Sequence, residues 1–100
     1  MRIEFERSGG FAGMRLSGFV NTGELTAGQA LSLQEAVDAA QFWDLPCEIS
    51  GDQRGADRFQ YVVTVEAADR QHTVRVDESA MPEALGALVQ AVTRLAGRRT

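Results

Sequence analysis

Arg58-Phe59-Gln60-Tyr61-Val62-Val63-Thr64-Val65-Glu66 is the stretch on which the fold turns. Its aromatic and β-branched residues suit a pleated, half-buried surface. Phe59, Tyr61, Val63 and Val65 share one face at the period of two that a strand imposes. Downstream, the short polar link Ala67 to Arg70 leads into Gln71-His72-Thr73-Val74-Arg75-Val76-Asp77, where His72, Val74 and Val76 alternate again. The two runs predict a β-hairpin.

A helix is predicted after it, beginning near Pro82, because the missing proline N–H has no helical partner to lose in a first turn. Leu85, Leu88, Val89, Val92 and Leu95 form its apolar stripe. Arg94, Arg98 and Arg99 crowd its C-terminal end, where the helix dipole favours cations, and Gly97 is the expected stop. Upstream of the central strand, Glu48 to Asp57 is polar, holds Gly51 and Gly55, and reads as a loop. Before it, Thr26 followed three residues later by Gln29 is a capping-box pattern. It predicts a helix to about Gln41, with Ala30, Leu33, Val37 and Ala40 on one face and Pro46 excluding its continuation.

At the N-terminus, Ile3 and Phe5 alternate with Arg2, Glu4 and Glu6, and a second alternation follows at Met14, Leu16, Gly18 and Val20. Between them, Arg7-Ser8-Gly9-Gly10-Phe11-Ala12-Gly13 supplies glycines that tolerate the positive φ of a reversal. The element order is therefore ββαββα. The expected fold class is α+β, two-layer, with an antiparallel four-stranded sheet and two helices on one face, in a single domain spanning 1–100. The other sheet face is left to solvent or to a partner.

The composition narrows the function. Fourteen acidic residues against ten basic ones give a net charge of −4, which opposes approach to nucleic acid or an anionic membrane. Neither a secretory h-region nor an apolar run of membrane-spanning length is present, so a cytoplasmic location is the expectation. Cys47 and His72 are the single cysteine and histidine. No intramolecular disulfide can form, and no cofactor or zinc site is expected.

No catalytic set emerges. His72 shares its face with Val74 and Val76, which marks a partly buried structural residue rather than a base. Cys47 has no neighbouring cation to lower its pKa and is expected to be packed and inert. Glu4, Glu6, Glu66, Asp77 and Glu78 lie on strand positions that normally face water. The glycine-rich segment lacks the Lys-Ser/Thr of a phosphate-binding loop and precedes no helix. Phe11 stands out, because an aromatic at a hairpin tip either folds back onto the core or is displayed to a partner.

Several strings resemble the emfourin family, the proteinaceous inhibitors of protealysin. They are Arg7 to Gly13, Gly55-Ala56-Asp57-Arg58-Phe59-Gln60-Tyr61, Thr64-Val65-Glu66, His72-Thr73-Val74 and Pro82-Glu83-Ala84-Leu85, in the same order and spacing. The resemblance implies a non-enzymatic bacterial inhibitor of thermolysin-like zinc metalloproteases, acting in the cytoplasm. On physical grounds the shared strings nominate a protease-binding site of Ser8, Gly9, Gly10, Phe11, Ala12 and Gly13, with Arg54, Asp57 and Arg58 as a second contact. Phe11 would fill an apolar specificity pocket; in an alternative version a carboxylate such as Asp57 approaches the protease zinc instead, against the plainer reading that Asp57 caps a turn or pairs with Arg58. The free chain is expected to be a monomer. Two alternatives stay open at this point, a regulatory module with a non-protease partner and a small enzyme built around His72.

Overall fold

The computed structural model describes residues 1–9, 14–49 and 59–96. Strands β1 (Arg2–Gly9) and β2 (Met14–Asn21) lead through a 3-10 turn at Thr22–Glu24 to helix α1 (Ala27–Ala39). A second 3-10 turn at Phe42–Asp44 precedes β3 (Glu48–Ile49), followed by β4 (Phe59–Ala67) and β5 (Arg70–Asp77). A third turn at Glu78–Ala80 then enters α2 (Glu83–Ala96). The sheet order is β2-β1-β4-β5-β3.

The expected class holds in outline, α+β with two helices, but the four-stranded antiparallel sheet is corrected to a five-stranded mixed one. The added strand is β3, which runs parallel to β5 with Glu48 opposite Arg75 and Ile49 opposite Val76. Arg75 N–H also donates to the Cys47 carbonyl at 2.8 Å. Two residues are too few to display a period, which is why the segment reads as loop in sequence. Cys47 differs as well. Its thiol is exposed rather than packed.

Alternation places Ile3 and Phe5 of β1 beside Val20 and Gly18 of β2 and beside Val65 and Val63 of β4. Val63 and Val65 in turn face Val74 and His72 of β5. This face joins Leu33 and Val37 of α1 and Leu85, Leu88, Val89 and Val92 of α2 in one buried cluster. Both helices therefore cover the same side of the sheet, and the opposite side carries Glu4, Ser17, Thr64 and Thr73.

The capping box at Thr26 is complete. The Thr26 hydroxyl accepts from Gln29 N–H at 3.1 Å, and Gln29 Oε1 accepts from Thr26 N–H at 3.2 Å. The helix stops two residues short of the expected Gln41, because Gln41 takes a left-handed conformation (φ 50°) that turns the chain inward. Phe42 is buried as a result, edge-to-face against Trp43 and His72. His72 Nε2 lies 2.7 Å from the Leu45 carbonyl. The histidine is thus structural, pinning the connection that carries β3 against β5.

Candidate functional site

Gly9 is the pivot of the site. It ends β1 and stands in register with Met14, the first residue of β2, and with Phe59, the first residue of β4. Its φ of 119° is one that side-chain-bearing residues rarely adopt, so glycine here sets the direction in which the chain leaves the sheet. Ser8, half-buried, pairs with Arg15 and Gln60 on the neighbouring strands. Adjacent strands lie about 4.8 Å apart, so Met14, Gly9 and Phe59 span roughly 10 Å. Ile49, beside Val76, is at the same end, because Val76 stands opposite Tyr61.

The remaining nominated residues, Gly10, Phe11, Ala12, Gly13, Arg54, Asp57 and Arg58, lie outside the described residues. The backbone that brackets them is described. Residues 10–13 depart from Gly9 and return at Met14, while residues 50–58 depart from Ile49 and return at Phe59. Segments some forty residues apart in sequence are thus anchored at one end of one sheet.

Sequence reasoning missed the strand residues immediately behind this end. Arg7, Leu16, Tyr61 and Phe59 continue the face that carries Ile3, Phe5 and Val63. Here the cover thins: Leu16 is 43% exposed, and Phe59 and Tyr61 are only half-buried. The Arg7 guanidinium stacks over the Phe59 ring at 4.7 Å. The alternation of Phe59 and Tyr61 was legible, but the reach of the helices over them was not.

A second apolar feature lies elsewhere. Leu31, on the outer side of α1, is 60% exposed, the highest value among the exposed large apolar side chains described. On the open sheet face, Phe19 is covered by the Arg2 guanidinium at 4.4 Å, and Arg2 Nε pairs with Glu4 at 2.9 Å. Thr64 and Thr73 share a hydroxyl hydrogen bond of 2.9 Å beside them. That face is mixed in charge.

Among the described residues no group of three or more His, Cys, Asp or Glu could hold a metal ion, and no helix is long and apolar enough to cross a membrane. What the described surface offers is a sheet end that brackets two segments, beside a partly bare aromatic base. Such an arrangement defines a small binding domain that acts through its surface.

The chain belongs to the emfourin family, whose model matches residues 5–93. That membership carries a protease-inhibitor role, and with it a protease as partner. Neither the curated proteins nor the solved structures contain a match to the chain.

Proposed function

We propose that this chain inhibits a thermolysin-like zinc metalloprotease of the bacterial cytoplasm by seating the hairpin end, residues 8–13, in the active-site cleft. Residues 52–58 make the second contact, and the inhibitor performs no chemistry of its own. The observation that supports this reading is the register of Gly9 with both Met14 and Phe59. One sheet end anchors both segments, so a single approach of the protease can meet them together. Phe11, flanked by glycines in sequence, is the apolar anchor, and buried aromatics commonly carry much of an interface's energy.

The test is the inhibition constant of a folded Phe11→Ala variant against a purified thermolysin-like protease. Loss of such an anchor costs about 2–4 kcal/mol, roughly a 30- to 1,000-fold rise. An unchanged constant removes Phe11 from the site. The exposure of Leu31 favours a second reading in which the outer side of α1 faces the protease. Leu31→Ala then weakens inhibition while Phe11→Ala does not.

A further inference from the structure

Behind the hairpin end, α2 and the sheet flank an open trough of about 360 Å³ lined by Arg7, Tyr61, Val89, Gln90, Thr93 and Arg94. Arg7 and Arg94 both line it, and among the described residues no carboxylate does. Like charges across a shared hollow repel, and an anion placed between them reverses the sign of that interaction.

Each arginine is also placed by something other than an ion pair. Arg7 is held by stacking on Phe59, which fixes the plane of its donors. Arg94 sits in the last turn of α2, where the helix dipole favours a cation. The dipole accounts for a charge on that turn, but not for its sharing a hollow with Arg7. Within the trough the Thr93 hydroxyl is already committed, donating to the Val89 carbonyl at 2.7 Å. Tyr61 and Gln90 supply further neutral donors. Two arginines lining one trough, with neutral donors beside them, suit a carboxylate, which accepts two-pronged hydrogen bonds from arginine.

We propose that this trough is a carboxylate-binding site, and that its occupant is an acidic side chain on the rim of the protease that the hairpin end engages. The partner identity rests on the inhibitory reading above. The position supports it: Arg7 is two residues from Gly9, on the same sheet face, so a protease seated on the loop end reaches the trough without reorienting. The carboxylate locks the inhibitor's rotation about the loop contact, as an ion pair fixes register at an interface.

The test uses the full chain and a purified thermolysin-like protease. Arg94→Gln and Gln90→Glu are both surface changes on α2 that leave the core untouched. The first removes a donor, and the second places a carboxylate of the chain's own in the trough. Each is expected to raise the inhibition constant about 10-fold at low salt, with the difference shrinking as salt is added. Arg7→Gln is expected to act in the same direction, and Arg7→Lys to recover only part of the loss, because lysine lacks the fork. Folded Arg94→Gln and Gln90→Glu variants that inhibit as well as the parent overturn the proposal.

If the parent chain does not inhibit the protease, the inhibitory reading fails, and the trough is judged by titrating the free chain with N-acetylglutamate amide. Saturable NMR shifts of the Arg7 and Arg94 Nε–H signals that vanish in Arg94→Gln sustain a carboxylate site. Shifts that do not saturate overturn it.

Discussion

Gly18 and Gly28 should respond to the same substitution with opposite signs. A Cβ built on Gly18 falls 3.0 Å from the Ala96 Cβ and 3.0 Å from the Phe5 Cε1. Carbon atoms attract best at about 3.5–4.0 Å, so each contact overlaps by roughly half an ångström or more. Neither neighbour can step aside. The Ala96 Cβ has no rotamer to change, and Phe5 is held in the core. Overpacking of this kind costs about 1–3 kcal/mol, against a gain of about 0.5–1 kcal/mol from stiffening the unfolded chain. Gly18→Ala therefore loses up to about 2.5 kcal/mol net, centred near about 1 kcal/mol, and a domain of this size loses about 4–8 °C of Tm per kcal/mol. At Gly28 the added Cβ meets nothing within 4 Å. Alanine in the first turn of α1 instead gains up to about 1 kcal/mol in helix propensity. Urea melts of the two variants beside the parent give both signs in one experiment. Gly18→Ala as stable as the parent refutes the argument that the close seat of α2 on β2 requires glycine. The stake extends to the trough, because pushing Ala96 away from β2 also moves Arg94 relative to Arg7.

Three other substitutions test separate links. Thr26→Ala removes the hydroxyl arm of the capping box while leaving its backbone N–H to donate to Gln29 Oε1, and should cost about 1 kcal/mol, read as a lower urea midpoint with an unchanged slope. Gln41→Gly relieves a left-handed side-chain-bearing residue and should stabilise by about 0.5–1 kcal/mol, with a fall in Tm counting against it. Leu31→Ala changes an exposed side chain and should leave stability within about 0.5 kcal/mol. Its inhibition constant stays at the parent value if the hairpin end makes the main contact.

The residues most legible in sequence are those whose period repeats. β4 and β5 follow from the alternation of Phe59 to Val65 and of His72 to Val76, and α2 from the stripe of Leu85, Leu88, Val89 and Val92. β3 was not legible, since Glu48 and Ile49 are held in the sheet by pairing with Arg75 and Val76 rather than by any pattern of their own. The early end of α1 escaped for a related reason. Nothing local forces Gln41 into a left-handed turn; the return comes from burying Phe42 against His72, a residue thirty positions away. At the candidate site the sequence indicated Ser8 and Gly9 but not Arg7 or Arg94. That both line one trough depends on how α2 crosses the sheet, which no linear spacing records.

The same crossing bears on how a short chain with few special side chains could hold a binding loop in place on the proposed reading. A loop that inserts into a cleft loses affinity through the entropy of ordering it, and anchoring both its ends on adjacent strands lowers that cost before the partner arrives. Here Gly9 and Met14 pair directly, and β4 begins on the other side of Gly9. The hairpin segment therefore leaves from an interior strand, β1, and returns on the edge strand β2. β2 is also seated closely against α2 at Gly18 and Ala96, which ties the sheet to the helix layer. The binding free energy of whatever the sheet end presents is then less drained by rearrangement behind it. On this view, changes at Gly18 and at Arg94 should both register in inhibition, although neither residue lies in the loop, because they set the attitude of the sheet end and the grip behind it.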